Sequence, residues 1–410
     1  MRVYRFELTP HFLKGISNVF AGFFIMLFDS SIDESTAFMI LPCEILTMTV
    51  LFPFGSWLAK RIDGRIQLSI GCVIGLSTAL ASSYCTNFWA FFVLYAGGFG
   101  VCNGFAYVVP VYSGWRYFKD NKGLVTGIVL CGFGFGAFFF NLISTAVVNP
   151  KGLDSKDGLF PAEVANNVPK MIRVLTICWA CISAISILLF FPYQEPPKQQ
   201  QAISRGVTMD DEKLENLKRK QLNQRKRFPK VKQLLANVFV QSIMGYFVIN
   251  TFKSFGQKHI NDDKFLTIVG SVSSVFGGLR FIWSYFVDFT NTFRKPYFIL
   301  LCVQLIFGST LVLVSNIESL FFIWVCIIVW CEGGHFSLVP TAVARMFGEH
   351  APIVYGFAFS FGSIPQIISS IMVKFYLKDI GYDAFYYASA AATLISLIIL
   401  IFFFEEKKVC

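Results

Sequence analysis

The chain is organised around apolar runs of roughly 18–25 residues, each long enough to cross a hydrocarbon core of about 30 Å as an α-helix. Twelve are expected, over residues 11–30, 36–59, 66–84, 88–113, 122–148, 170–192, 231–253, 266–289, 296–315, 319–343, 352–377 and 383–404. Hydrophobic residues make up 55% of the 410, charged residues only 15%, and the mean hydropathy is +0.60. A soluble protein of this length would need polar residues over its whole surface, whereas here they gather in a few short stretches. The fold class that follows is all-α, a polytopic membrane protein with twelve transmembrane helices. The first run carries Lys14 and Asn18, and no small-residue cleavage site follows it, so it is expected to remain as a helix.

The net charge of +10 follows the membrane topology instead of forming one patch, which argues against a nucleic-acid partner. An even number of spans puts both termini on one side. That side collects Arg2, Arg5, Lys60, Arg61, Arg65, Arg116, Lys119, Arg294, Lys295, Lys407 and Lys408, and the positive-inside tendency makes it cytoplasmic. The acidic turn Asp29, Asp33, Glu34 falls on the opposite side, while Lys151, Lys156, Lys258 and Lys264 run against the trend without reversing it. The cysteines sit almost entirely in the apolar runs, where they act as small hydrophobes, and Cys178-x-x-Cys181 beside Trp179 reads as packing, not redox chemistry.

The stretch GLVTGIVLCGFGFGAFFFN, Gly123 to Asn141, superficially resembles a phosphate-binding glycine loop. Such a loop needs a strand before it and backbone N–H groups freed at a turn, whereas this stretch continues through a lipid-length helix. Its pairs Gly123-xxx-Gly127 and Gly132-xxx-Gly136 have the small-residue spacing that lets membrane helices approach closely, so these four glycines are expected to form a packing and gating surface.

One segment, around 193–230, is polar and strongly basic and separates six spans from six. It divides the chain into an N-terminal bundle over 1–192, a cytoplasmic linker over 193–230 and a C-terminal bundle over 231–410. The halves echo each other at an offset of about 229 residues, with Phe118 and Gly127 matching Phe347 and Gly356, and Arg65 matching Arg294. A duplicated six-helix unit follows, its copies related by an axis along the membrane normal.

Specific motifs narrow the class. The stretch GWRYFKDNKGLVTGIVLCGFGFGAFFF (Gly114–Phe140) resembles the fourth-loop and fifth-helix signature of the oxalate/formate antiporter family and its monocarboxylate transporter relatives, within the major facilitator superfamily. Trp330 to Gly362 and Phe276 to Phe289 are similar to that family's helices 10–11 and 8. The resemblance implies two pseudo-symmetric six-helix bundles, transport of a small carboxylate anion, and a substrate-binding Arg in helix 8 at Arg280. Two departures qualify it. The loop after the second span reads GSWLAKRIDGR, with Lys60 where the superfamily pattern has Asp, which puts a standard latch there in doubt. Gly362 stands where oxalate exchangers carry a second cation, which implies a singly charged anion.

Ionisable residues inside the membrane are costly and mark function unless a structural partner accounts for them. Arg280 lies well inside the eighth span, and its guanidinium suits bidentate capture of a carboxylate; a structural ion pair with Glu332 is the competing reading. Glu332 and His335, spaced i, i+3 in CEGGHF, share one helix face and are candidates for proton coupling or for the counter-ion; the bland alternative pairs Glu332 with Arg280 and His335 with a backbone carbonyl. Glu44 in the second span is a further proton candidate. Tyr107 and Asn141 are weaker candidates for substrate contact, since such groups also bond between helices. Lys253 is expected to snorkel to the outer interface. No nucleophile or metal-ligand cluster accompanies His335, so catalytic residues, a metal and a cofactor are not expected, and the chain is not read as an enzyme.

The reading is a secondary transporter of a small organic anion, most simply a monocarboxylate, working by alternating access with proton symport or anion exchange. Membrane lipid and protons are its other partners, and a monomer is the expected functional unit. The alternative is a transporter-derived receptor or structural subunit that no longer cycles, for which Lys60 is the one support.

Overall fold

The computed structural model describes residues 4–5, 40–151, 159–160, 162–191, 193, 236–260 and 262–402. The first expected span, the acidic turn after it, the basic linker apart from Tyr193, and Lys407-Lys408 lie outside the described residues.

In hydrocarbon, each backbone N–H and C=O must be satisfied within its own segment, and the apolar runs accordingly fold as helices. Eleven long helices match the second to twelfth expected spans one for one. They are α1 (Ile40–Leu58), α2 (Gly64–Ser82), α3 (Phe88–Tyr117), α4 (Lys122–Val148), α5 (Val168–Leu189) and α6 (236–259). Then come α7, broken into Asp263–Gly278 and Phe281–Thr290, α8 (Arg294–Thr310), α9 (Glu318–Phe347), α10 (Ala351–Phe375) and α11 (Tyr382–Phe402). Eight of them are long and apolar enough to cross a membrane by length and composition. Besides helices, Tyr4–Arg5 pairs antiparallel with Leu159–Phe160.

Short polar links supply the helix starts. Asp63 accepts from the Arg65 N–H, Asn87 from the N–H groups of Trp89 and Ala90, and Asp262 from that of Phe265, each meeting donors that a helix N-terminus leaves unpaired. Asn291 (φ 52°) ends α7 and Gly348 (φ 53°) ends α9, both in the left-handed region that reverses the chain.

The internal repeat appears in the hydrogen bonds. Arg65 at the start of α2 donates through Nε to the Phe190 carbonyl at the end of α5 (3.0 Å), and Arg294 at the start of α8 donates to the Ile401 carbonyl at the end of α11 (2.6 Å). The seam between the halves repeats as well. It runs along α4 against α7 and α1 against α10. A Cβ at Gly127 would collide with Ser284 and Phe281 of α7, and one at Gly356 with Ser56 and Pro53 of α1.

The glycine face differs in part from expectation. Gly123 and Gly127 sit tight against α7, but no atom of a described residue lies within 4 Å of a Cβ built at Gly132 or Gly136. The close approach continues through Gly134, on Gly278. Residues 123, 127 and 134 fall at steps of four and seven on one helical face, and 132 and 136 lie on the opposite one.

Candidate functional site

Arg280 occupies the break in α7, after the pair Gly277-Gly278. At the break the Leu279 and Arg280 carbonyls accept from the N–H groups of Ile282 and Trp283 (3.2 Å each), and α9 adds a second donor to each, Trp330 Nε1 to Leu279 (3.3 Å) and Ser337 Oγ to Arg280 (3.0 Å). Gly333 lets α9 approach near enough, because a Cβ there would meet the Gly277 carbonyl oxygen at 2.6 Å. Two helices therefore fix the arginine backbone.

The guanidinium is buried, at 9% exposure. Its Nε donates to the Gly277 carbonyl at 2.7 Å, and its carbon stands 5.8 Å from the centre of the Phe336 ring. Tyr107, Cys131, Glu332 and Tyr355 are within its electrostatic reach, but no carboxylate of a described residue pairs with it. The direct Arg280–Glu332 ion pair that competed for this residue is not formed, because the Glu332 carboxyl turns toward α6, onto the backbone of Gly245.

Tyr107 occupies the turn between two stretches of α3, on the first-half side of the seam. Its hydroxyl accepts from Tyr355 of the second half at 3.4 Å. Around it pack Phe52 (5.2 Å between centroids), Phe133 (5.2 Å) and Phe359 (5.3 Å), while Phe52 and Phe359 stack across the seam at 4.4 Å. Arg280 and Tyr107 thus come from opposite halves to one aromatic enclosure. Asn141 lies on α4, and its side chain is outside the described residues.

Glu332 and His335 come together in the second half, both 2% exposed, lining a cavity of about 30 Å³ with Gln241, Ser242 and Tyr246. That space holds a water or two and not an organic anion without widening. Glu332 Oε2 has no hydrogen-bond partner. His335 Nε2 meets Gln304 Oε1 at 2.6 Å, a side-chain partner and not the backbone carbonyl considered above, and its ring stands edge-on to Tyr297 at 5.4 Å. Glu44 is set apart from this pair. It is buried in the first half, accepting from Asn103 Nδ2 at 3.3 Å. Lys253 does not reach an interface: it is 1% exposed and donates to Thr267 Oγ1 at 3.3 Å.

At the basic end of the seam, the Asp288 carboxylate of α7 closes the N-terminus of α4. It accepts from the N–H groups of Gly123 (3.1 Å) and Leu124 (2.7 Å) and from Arg345 of α9 (2.7 Å), while Lys122 donates to the Ala344 carbonyl (3.2 Å). At an offset of 229 the first-half counterpart of Asp288 is Ala59, next to the exposed Lys60, and it has no carboxylate to offer. Tyr355, Phe336, Gln241 and Gln304 were not singled out from sequence. Tyr355 does fall in YGFAFSFG, where a polar group in an apolar run was a usable signal.

Lipid-length helices in two matching halves, with a buried cation where they meet, define a multi-pass integral membrane transporter, not an enzyme. Residues 11–329 match the model of the Major Facilitator Superfamily, and the chain belongs to that family. It is similar to apicoplast pyruvate carrier 1 of Toxoplasma gondii, at 25% identity over 83% of this chain and 69% of the relative. It is also similar to the oxalate:formate antiporter of Oxalobacter formigenes, at 22% identity over 74% of this chain and 67% of the relative. The proton:xylose symporter XylE bound to 6-bromo-6-deoxy-D-glucose superposes with a TM-score of 0.68, over 98% of this chain and 94% of its own, at 12% identity. That likeness shows the fold, twelve helices in two six-helix bundles.

Proposed function

We propose that the protein is a secondary transporter of a small monocarboxylate, which binds Arg280 at the seam and is carried by alternating access. The observation that carries this is a buried guanidinium at the junction of the halves with no carboxylate of a described residue to balance it. A buried cation is stabilised by an anion that matches its fork, and a carboxylate does so with two parallel hydrogen bonds. Tyr107, with Tyr355 behind it, meets the anion from the other half, so that binding draws the halves together. Asn141 is the third candidate contact. A single cation favours a singly charged substrate, and Gly362, where oxalate exchangers place a second cation, agrees. The printed functions of the two relatives, a pyruvate carrier and an oxalate:formate antiporter, support a small organic anion.

Glu332 and His335 are the groups to couple a proton or to serve as counter-ion between cycles, and Glu44 is a separate proton candidate. The bundles 1–192 and 231–410 work as the moving halves of a monomer, with 193–230 as their tether. The basic end of the seam and both termini face the cytoplasm.

Uptake of labelled mono- and dicarboxylates by purified protein in proteoliposomes, with and without a pH gradient, tests the reading. Monocarboxylate flux that Arg280→Ala abolishes is expected. Unimpaired transport by that variant would falsify the site, and oxalate uptake above every monocarboxylate would overturn the substrate class. Binding without net flux would instead establish the receptor reading, for which the altered loop sequence at Lys60 is the one support.

A further inference from the structure

The cavity beside Phe336 contains more acceptors than its own protein groups satisfy. Glu332 Oε2 and Gln241 Oε1 are both buried without a hydrogen-bond partner, on side chains 2% exposed, and they come from two helices, α9 and α6. The Gln241 amide orientation is fixed by its neighbour. Ser242 Oγ spends its single proton on the Val238 carbonyl (2.7 Å), so it can only accept from Gln241 Nε2 (2.9 Å), and Oε1 is left facing away. Ser242 and Ser363 add hydroxyl oxygens to the lining, and His335 Nδ1 is a further unpartnered atom at its edge.

What would satisfy this group can be worked out from charge and hydrogen bonding. A proton on Glu332 removes its charge and supplies one O–H donor, and together with a water it would satisfy both acceptors; this neutral arrangement is the rival that the pH arm of the test separates. A water donates to two acceptors but leaves the carboxylate with no cation in direct contact, since Arg280 acts on it only from a distance and forms no ion pair with it. A hard cation among carboxylate, amide and hydroxyl oxygens answers both needs, and one carboxylate balances one positive charge. About 30 Å³ admits a small ion with a water.

We propose that this cavity is a binding site for a small monovalent cation of sodium size, held by Glu332 and Gln241 and carried together with the anion. Phe336 is shared between the two sites, lining the cavity and lying under the Arg280 guanidinium, so occupancy of one is felt at the other. The co-transport part rests on the anion reading above; cation binding itself does not.

The test uses purified full-length protein at fixed pH with no organic anion present. Sodium chloride is titrated against choline chloride at constant ionic strength while the thermal unfolding midpoint is followed. A saturable upward shift given by sodium and not by choline is expected, lost in Glu332→Gln and in Gln241→Leu and kept in Arg280→Ala. An equal shift with choline, no saturable shift with any alkali cation, or a full shift in both cavity variants overturns the proposal. A midpoint that follows pH and not sodium also overturns it, marking Glu332 as a proton site alone. Should the variants fail to fold, saturable binding of radioactive sodium to the wild-type protein takes their place, and its absence is equally decisive. In proteoliposomes, an inward sodium gradient without a pH gradient is expected to drive anion uptake, and sodium binding without such drive removes the co-transport claim. Because the binding arm contains no anion, failure of the Arg280 site and failure of the cation site give separate results.

Discussion

Arg280 spends one N–H on the Gly277 carbonyl, which orients the rest of the fork and leaves its outer edge for a ligand. Lysine would keep the charge and lose the fork, so Arg280→Lys is expected to weaken the apparent affinity for a monocarboxylate roughly tenfold, about 1.4 kcal/mol. Arg280→Ala removes a buried charged partner, for which about 2–5 kcal/mol is the usual cost; concentration-dependent uptake checks both. Tyr355→Phe deletes the hydroxyl contact across the seam and should cost about 0.5–1.5 kcal/mol, read as a modest rise in KM with the thermal midpoint nearly unchanged. Arg280 was legible in the sequence because a charge deep in an apolar run has few structural excuses. Tyr355 offered only its place as a polar group in an apolar run, and Gln241 offered nothing, because both become significant through partners that tertiary packing brings from other helices.

At the scale of helices, the α4–α7 seam depends on which glycines face the partner. Gly127 and Gly134 have α7 atoms where a side chain would go, so Gly127→Leu or Gly134→Leu forces the helices apart. Overpacking of this kind typically costs about 1–3 kcal/mol, and both variants should lower the unfolding midpoint in detergent and depress uptake. Gly132→Leu meets no described neighbour and is expected to leave both nearly unchanged. Helix number, order and approximate ends could be read from hydropathy alone, since the membrane permits little else. Which glycine pair made contact could not, because Gly-x-Gly-x-Gly offers every spacing at once and only the rotation of α4 about its axis selects among them.

Across the whole molecule, the two halves share fold, terminal arginine bonds and glycine contacts, yet among the described residues one corner of the seam has an ionic latch and its counterpart has none. Asp288 joins the α4 N-terminus of one half to Arg345 of the other, and an anion there also gains from the helix dipole. Asp288→Asn should shift the equilibrium between closed and open forms of that end toward opening by roughly 10- to 100-fold, about 1.4–2.8 kcal/mol. Fluorophores placed at the exposed positions Lys119 and Asn291 would report this as a longer mean distance, and high salt should move the wild type in the same direction. An unchanged distance distribution in Asp288→Asn would show that packing alone closes that end.

The break in α7 has one more consequence. The carbonyls at the break are tied to Trp330 and Ser337, so the arginine, the broken helix and all of α9 form one chassis. Retuning the cargo by substitution near Arg280 therefore disturbs parts far from it. The opposite wall, around Tyr107 and Phe52, has a tie of its own, since Gln67 of α2 donates to the Gly55 carbonyl of α1 and the Phe105 carbonyl of α3 (2.8 Å each); a library for a carrier of different taste therefore varies Tyr107 and Phe52 and leaves Gln67 in place.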